Sequence, residues 1–235
     1  MNFLSSLKNI KSFLLYDINL PTKNKIIAKK SVKKLINFWN KNADLKKESI
    51  EAYKNYFGGD FIDVGCHQGS YLFFLASKAK KHDKFICIEP NIDNQSTLFD
   101  TITLLSQIYN KIKFINLPYA VSNKKKISEI QTNYGHSTFK STSKSNLFAL
   151  TGDEIVKFHN LKPTFIKIDT EGAEKEVLQS FKKTLKKFKP RIILEKHPTL
   201  VKSKTFLEID NFLKRNNYRK KNIYSNNLAV SELWK

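Results

Sequence analysis

Acidic side chains stand at the ends of four short apolar segments of this chain. Asp63 lies near the end of the first segment, and Glu89 ends the second. Asp169 and Glu171 follow the third segment, and Glu195 ends the fourth. Parallel strands bring their carboxyl ends to one edge of a sheet, where open α/β sheets bind their ligands. Carboxylates gathered there can hold hydroxyl groups, attract a positive charge or accept a proton, so the pattern predicts a binding and catalytic site.

A glycine-bearing turn follows the first apolar segment, in the sequence Phe61-Ile-Asp-Val-Gly65-Cys-His-Gln-Gly69-Ser-Tyr-Leu. Glycines at 65 and 69 let the backbone approach a ligand closely, and the helix that follows offers free N–H groups. The spacing D-x-G-x-x-x-G differs from the G-x-G-x-x-G of pyrophosphate binders, which indicates a ligand without phosphates. Asp63 beside the turn favours a cationic ligand. A strand–helix junction that binds no ligand is the alternative interpretation.

Glu89-Pro90 ends the next apolar segment, about twenty residues beyond the turn, where a carboxylate can bind both ribose hydroxyls of a nucleoside. A nucleoside with a positive charge and no pyrophosphate indicates S-adenosylmethionine, which we predict as the cofactor. The alternative is that Glu89 only caps the strand or the following helix. The residues of these two segments that are predicted to bind the cofactor are Asp63, Val64, Gly65, Gly69, Ser70, Tyr71, Glu89 and Pro90.

Three acids crowd the third segment, Phe165-Ile-Lys-Ile-Asp169-Thr-Glu171-Gly-Ala-Glu174, in a chain that is otherwise basic. A helix N-terminus accounts for one of them. We predict that Asp169 and Glu171 hold the methionine end of the donor or an acceptor hydroxyl. The fourth segment ends in Glu195 and His197, which are predicted to bind the acceptor together with Glu171. Oxygen ligands at a strand end also suit a metal ion, but the spacing does not require one and no metal site is predicted.

Transfer of a methyl group to an alcohol requires alignment of the oxygen about 3 Å from the methyl carbon and removal of the hydroxyl proton. His136, in Gly135-His-Ser-Thr138, is the first candidate for the base, because a histidine titrates near neutral pH. His197 is the competing candidate, and a histidine that is only exposed to solvent is the alternative for both. Together with the acids that hold the donor or the acceptor, the predicted catalytic residues are His136, Asp169 and Glu171.

Short apolar runs alternate with helical patterns after Gly58 and Gly59, which is typical of an α/β protein with a parallel sheet and crossover helices. Strands are predicted at 61–64, 84–89, 112–117, 164–169 and 191–195. Helices are predicted at 70–80, 92–107, 173–188 and 204–216, and a terminal hairpin at 218–224 and 228–230.

Residues 1–57 contain no glycine and place apolar residues at helical spacing, which predicts an N-terminal helical extension. Residues 58–235 are predicted to form the catalytic domain. The extension either docks on that domain or makes peripheral contact with a membrane surface. Residues 123–150 are polar and have no clear period, and a connection of that length is typically a functional lid or a disordered segment.

Several segments resemble, in chain order, the FkbM family of methyltransferases. They are Asp63-Val-Gly65 with Gly69, Glu89-Pro90, Ala120-Val-Ser122, Lys167-Ile-Asp-Thr-Glu-Gly-Ala-Glu174, and Pro190 with Leu194-Glu195 and His197. The resemblance implies a Rossmann-like, seven-stranded class I methyltransferase sheet with helices on both faces. It also implies S-adenosylmethionine as the donor, with Ala120 and Asp169 among the residues that bind it. O-methylation of a sugar or polyketide-type hydroxyl is the activity that it implies.

The formal net charge of +21 favours contact with polyanions such as nucleic acid. Abundant lysine, asparagine and isoleucine beside scarce arginine is also the imprint of an AT-rich genome. The predicted partner is a small-molecule or glycan acceptor. The alternative functions are methylation of RNA and a non-catalytic module that only binds a nucleoside. Asn116-Leu-Pro-Tyr119 resembles a motif of ribosomal RNA adenine dimethyltransferases, but there the motif closes the fourth strand, whereas here it is predicted to end the third.

Cys66 and Cys87 lie in predicted strand ends without metal-ligand spacing, which indicates free buried thiols and a reducing compartment. No apolar run approaches the roughly 18 residues that a membrane span requires, and residues 1–20 lack a small-residue cleavage site. The chain is therefore predicted to be soluble and cytoplasmic. The sequence supports no prediction of the oligomeric state.

Overall fold

The computed structural model describes residue 37 and residues 41–124, 126–133, 136–138 and 145–235 of the 235-residue chain. Side chains are described for residues 37, 41–124 and 148–235. The helices predicted at the beginning of the N-terminal extension lie outside the described residues. Within the described part, no helix is long and apolar enough to cross a membrane.

Eleven strands and seven helices alternate along the described part of the chain. The strands are β1 (Asp60–Val64), β2 (Lys84–Ile88), β3 (Lys113–Leu117), β4 (Ala120–Val121), β5 (Lys126–Asn133), β6 (His136–Thr138), β7 (Ser145–Leu150), β8 (Pro163–Ile168), β9 (Arg191–Lys196), β10 (Lys220–Ser225) and β11 (Val230–Trp234). The helices are α1 (Ala43–Asn55), α2 (Ser70–Ala76), α3 (Ile92–Ile108), α4 (Gly152–Phe158), α5 (Glu174–Ser180), α6 (Lys182–Phe188) and α7 (Ser203–Arg215).

Seven of these strands form the central sheet, in the order β10-β11-β9-β8-β1-β2-β3. The five strands from β9 to β3 are parallel, and β11 runs antiparallel to both of its neighbours. Each of the five predicted strands is present, and its ends differ from the prediction by one residue at most. The predicted Rossmann-like, seven-stranded α/β fold is confirmed.

The central strands are buried on both faces, because apolar residues occupy successive positions along them and successive side chains point to opposite faces. Phe61 pairs in register with Phe85 and Phe165, and their rings pack at centroid distances of 5.3 and 6.0 Å. Tyr56, at the end of α1, packs edge-on against Phe85 at 5.9 Å. Residues from α1 therefore share one hydrophobic core with the sheet. The isoleucines between the phenylalanines face the opposite core, which α4 to α7 cover.

Two predicted helices differ from the observed ones. The helix predicted at 173–188 is two helices, because Phe181 interrupts it and its fully buried ring packs against Gly152. A β-carbon on Gly152 would lie 2.5 Å from that ring, so the close approach depends on glycine. The helix predicted at 70–80 ends at Ala76, where Lys78 and Ala79 turn back with N–H donations to the carbonyls three residues earlier.

The prediction of an irregular connection at 123–150 is wrong for its described part. Strands β4, β7, β5 and β6 form a second sheet in that order. β5 pairs antiparallel with β7 over five residue pairs, and β4 pairs parallel with β7. Hydrogen bonds between the paired strands satisfy the backbone N–H and C=O groups of this polar segment. Its sequence lacks the apolar alternation that marks a half-buried strand.

Candidate functional site

A cavity of about 550 Å³ opens at the carboxyl ends of the parallel strands. Its walls come from the ends of β1, β2, β8 and β9, from the first half of α1 and from the turn between β10 and β11. The residues of the predicted site that line it are Val64, Gly65, Ser70, Tyr71, Glu89, Pro90, Ala120, Asp169, Glu171, Glu195 and His197. The topology thus brings most of the predicted cofactor-binding and acceptor-binding residues into one space.

The glycine turn after β1 passes against the end of β8. Gly65 has a positive φ of 77°, and its N–H donates to the carbonyl oxygen of Ile88 at 2.9 Å. A β-carbon at this position would lie 1.7 Å from the carbonyl oxygen of Asp169, so only glycine fits. Gly69 does not line the cavity; it is the N-cap residue of α2, and a β-carbon at this position would lie 3.0 Å from the side chains of Leu72 and Leu98.

Asp63 lies behind the cavity wall rather than in it. Its side chain is fully buried, and neither carboxylate oxygen has a hydrogen-bond partner among the described residues. Burial raises the pKa of Asp63 to about 7, while Lys167, its cross-strand neighbour on β8, opposes that shift. Asp63 does not line the cavity, whereas Glu89 does, and the contact of Asp63 with the cofactor stays a prediction.

Glu89 joins the two loops that flank the donor side of the cavity. One carboxylate oxygen accepts the N–H of His67 at 2.8 Å, and the other accepts the N–H of Asn91 at 2.8 Å. Burial raises the pKa of Glu89, and these backbone donations oppose the shift. His67 has a positive φ of 51°, a conformation that non-glycine residues rarely adopt and that the Glu89 contact helps to hold.

A cluster of carboxylates surrounds the imidazole of His197 at the ends of β8 and β9. The Nε2 atom lies 3.7 Å from Oδ1 of Asp169, 3.6 Å from Oε2 of Glu171 and 3.8 Å from Oε1 of Glu195. On the other side of the ring, Nδ1 lies 3.1 Å from Oε1 of Glu174. We call Asp169, Glu171, Glu195 and His197 the carboxylate–imidazole cluster.

The protonation of this cluster follows from its burial and its charges. Burial lowers the pKa of His197, but the hydrogen bond with Glu174 and the nearby carboxylates outweigh it and raise that pKa to about 9. Burial, with the charges of Asp169 and Glu48, raises the pKa of Glu195 to about 9. Burial also acts to raise the pKa of Asp169, but Lys167, whose Nζ donates to Oδ2 of Asp169 at 2.8 Å, lowers it overall.

Of the cavity residues that were not predicted from the sequence, three with polar side chains are Glu48, Lys167 and Tyr224. Glu48 of α1 is 1% exposed, and its Oε1 has no hydrogen-bond partner among the described residues. The hydroxyl of Tyr224 lies 3.4 Å from Oε2 of Glu48, and Lys167 is buried beside Asp169. Glu48 looks like any surface acid of an amphipathic helix, so no local signal identifies it. Lys167 is a charged residue inside an apolar strand, which is a signal for a functional site.

His136 begins β6 and pairs with Asn133 of β5. Its side chain lies outside the described residues, so its role as a base stays a prediction. Asn116 lies in β3, and its amide donates to Oε1 of Gln95 at 2.6 Å. The Asn-Leu-Pro-Tyr segment thus closes the third strand along the chain, as predicted, with Tyr119 on the cavity wall.

Solved structures resemble this fold at low sequence identity. A structure of methyltransferase FkbM from Methylobacillus flagellatus is 16% identical, with a TM-score of 0.55 over 99% of this chain. This chain spans 60% of the length of that protein. A candidate rRNA methylase from Clostridium thermocellum is 10% identical, with a TM-score of 0.53 over 83% of this chain and 96% of its own. A candidate O-methyltransferase from Klebsiella pneumoniae is 6% identical, with a TM-score of 0.50 over 97% of this chain and 96% of its own.

These likenesses establish the fold, and a family match goes further. A comparison with curated proteins gives no match. The model of the methyltransferase FkbM domain matches residues 63–220, from the glycine turn to the start of β10. That match covers more than half of the chain and contains most of the cavity wall. The chain therefore belongs to the FkbM family of S-adenosylmethionine-dependent methyltransferases.

Proposed function

We propose that this enzyme transfers the methyl group to a hydroxyl oxygen of a sugar or a similar small acceptor. The observation that carries the proposal is the carboxylate–imidazole cluster, which lies on the wall of the same cavity that Glu89 lines. A hydroxyl acceptor needs a group that removes its proton as the new bond forms. The carboxylate of Glu171, which belongs to this cluster and lines the cavity, can accept that proton.

The donor side fits S-adenosylmethionine in its chemistry. A carboxylate has about four lone-pair sites, so Glu89 retains acceptor capacity for a ribose hydroxyl beyond its two backbone donors. Val64, Ile88 and Tyr119 supply apolar contacts for a purine ring, and Asp169 and Glu171 attract a cation. When bound, S-adenosylmethionine supplies an electrophilic methyl carbon, so a C–O bond forms while the C–S bond breaks and sulfur keeps the electron pair.

The acceptor side favours a molecule with several hydroxyl groups. The carboxylates of Glu171 and Glu195 accept hydrogen bonds, and each hydroxyl of a sugar can donate one. Leu200 and Leu228 stand at the rim of the cavity and are 42% and 69% exposed. Exposed leucines beside carboxylates suit the two kinds of surface that a sugar presents, its C–H faces and its hydroxyl edges. Glu171 is the proton acceptor in this proposal, because it lines the cavity and faces the cluster.

The proposal is tested with the full chain and S-adenosylmethionine carrying an isotopically labelled methyl group. Monosaccharides, nucleotide sugars, cell-surface glycans and structured RNA are offered in parallel, and the position of the label is read by NMR and mass spectrometry. Label on a sugar oxygen is the expected result. Label on RNA alone, on a base nitrogen or on a ribose 2′-oxygen, would replace the proposal by RNA methylation. Donor binding without transfer to any hydroxyl compound would contradict it.

A further inference from the structure

The Nε2 atom of His197 faces three carboxylates without a hydrogen bond to any of them. Its distances to the nearest oxygens of Asp169, Glu171 and Glu195 lie between 3.6 and 3.8 Å. A charge-assisted hydrogen bond between an imidazolium and a carboxylate is about 2.7–2.9 Å long. The spacing is therefore too wide for direct hydrogen bonds, although the side chain of His197 is nine-tenths buried.

The other ring nitrogen is fixed. Nδ1 lies 3.1 Å from Oε1 of Glu174, a carboxylate that is 1% exposed. The same oxygen accepts the N–H of Gly172 at 2.9 Å. A carboxylate at Nδ1 keeps the proton on that atom and directs the Nε2 lone pair outward, which is how metal-binding histidines are oriented. Here Nε2 points toward the carboxylates of the cluster.

We infer that Asp169, Glu195 and His197 bind a divalent metal cation. One ligand atom from each of these residues lies within 4.8 Å of the others. Two ligands at about 2.1 Å from one metal lie roughly 3.0–3.6 Å apart at tetrahedral or octahedral angles. The Nε2 distances of 3.7 and 3.8 Å to Asp169 and Glu195 come within a few tenths of an ångström of that range.

The orphaned oxygen of Asp169 supports the same position. Oδ1 of Asp169 is buried and has no hydrogen-bond partner in the described part of the chain, while Oδ2 is held by Lys167 at 2.8 Å. Buried polar atoms without partners are rare and call for an explanation such as a bound ion. Because Oδ1 is the atom of Asp169 that faces His197, an ion between them would satisfy both.

A proton on His197 is the competing explanation, and geometry separates the two. A proton on Nε2 donates one hydrogen bond to one carboxylate at a time, and that carboxylate oxygen would then lie at hydrogen-bond distance from Nε2. A cation at the centre would instead balance two carboxylates at once at the observed spacing. One imidazole with carboxylates is a ligand set that Mn²⁺ and Zn²⁺ accept, and an octahedral ion would keep open positions for water and acceptor oxygens.

This inference rests on the proposed function and deepens it. A divalent ion binds the acceptor hydroxyl through its oxygen and lowers the pKa of that hydroxyl, so that Glu171 can take the proton. Two adjacent open positions would bind two neighbouring oxygens at once. The acceptor class is therefore a compound with adjacent hydroxyls, such as a sugar with a vicinal diol.

The experiment is a Mn²⁺ titration of the full chain after dialysis against a chelator, followed by electron paramagnetic resonance. Wild type and His159→Gln, a control at the opposite end of the sheet, are expected to bind one Mn²⁺ per chain. Glu195→Gln and His197→Gln should each bind it at least tenfold more weakly. Glu174→Gln, which removes the carboxylate that orients His197 without removing a ligand, should lose roughly 10–100-fold. Circular dichroism establishes that each variant is folded, and Glu195→Gln keeps the test decisive if His197→Gln does not fold.

Calorimetry of S-adenosylmethionine binding to the chelated protein separates this inference from the proposed function. Donor binding without Mn²⁺ binding would overturn the metal site and leave the methyltransferase proposal standing. Mn²⁺ binding that is equal in wild type, Glu195→Gln and Glu174→Gln would also overturn it, because the ion would then lie elsewhere. Turnover on a diol acceptor that is lost with chelator and restored by Mn²⁺ is the result expected if both hold.

Discussion

The α-carbon of Gly65 packs against the main chain of Asp169, and a β-carbon on Gly65 would lie 1.7 Å from the carbonyl oxygen of Asp169. The turn that borders the donor side thus contacts the backbone of Asp169, a member of the carboxylate–imidazole cluster. The N–H of Asp169 also donates to the carbonyl oxygen of Val64 at 3.0 Å, so backbone contacts join the donor and acceptor sides of the cavity here.

Gly65→Ala is expected to damage the fold and the donor site together. The substitution forces a positive φ on alanine and adds a collision with backbone that no side-chain rotation relieves. Gly172→Ala is the matched control, because Gly172 also has a positive φ but its β-carbon would be 3.4 Å from its nearest neighbour. The control should lose about 1–2 kcal/mol of unfolding free energy. Gly65→Ala should lose at least ~3 kcal/mol. Equal losses in urea titrations would show that the collision is absent.

Glu89→Gln is expected to weaken donor binding by roughly 10–100-fold, the equivalent of one charge-assisted hydrogen bond. The amide keeps one acceptor oxygen, so it cannot serve the N–H groups of His67 and Asn91 as well as a ribose hydroxyl. Calorimetric titration with S-adenosylmethionine measures the change. Asp93→Asn, an exposed acid in the first turn of α3 outside the cavity wall, is the control and should bind the donor as wild type does. A donor affinity of Glu89→Gln equal to that control would remove Glu89 from the site.

Much of this site was predictable, because a parallel strand buried on both faces leaves a plain signal. Apolar runs that end in an acid identified β1, β2, β8 and β9, and the carboxyl ends of such strands converge by topology. Glu89 and Glu195 could be placed in one cavity on that ground alone. Asp63 obeys the same pattern and yet lies behind the wall, because side chains alternate along a strand and the pattern does not say which face points to the ligand.

Other features depend on packing that no local pattern contains. Glu174 had no predicted role of its own, but its carboxylate contacts His197, which lies 23 positions later in the chain. Glu48 enters the cavity only because α1 docks beside β10, where Lys221 binds Glu51 at 2.6 Å. The second sheet was missed because its strands are polar and show no apolar alternation. It forms only when β5 pairs with β7, and that pairing leaves no local pattern in either segment.

Replacement of Glu171 by glutamine tests which group takes the acceptor proton. A lost general base lowers the turnover number by about 10²–10⁴ while donor affinity is retained. His136→Ala is the comparison, since His136 remains the other predicted base. A fall of the same size in His136→Ala, with Glu171→Gln near wild type, would move the proton to the histidine and contradict the assignment to Glu171. The turnover number is measured with the best acceptor from the screen, and the donor dissociation constant by calorimetry.

Asp210→Asn tests a buried ion network that holds α7 against the sheet. Lys196, 3% exposed, contacts Asp210 at 2.5 Å and Glu232 at 2.7 Å. Burial acts to raise the pKa of Asp210, but hydrogen bonds from Lys196 and Lys220 outweigh it and lower that pKa. A lowered pKa means that the folded state favours the carboxylate, so its stabilisation is present above the unfolded-state pKa, about 4, and is lost as the pH falls through the lower folded-state value.

The Asp210→Asn variant should lose about 1–3 kcal/mol of unfolding free energy at pH 7, as measured by urea unfolding. Its stability should also fall less steeply than that of wild type on acidification. Glu208→Gln, an acid on the same helix paired with Lys175, is the control and should unfold at nearly the same urea concentration as wild type. An Asp210→Asn protein with the stability of wild type at pH 7 would mean that the network contributes nothing to the fold.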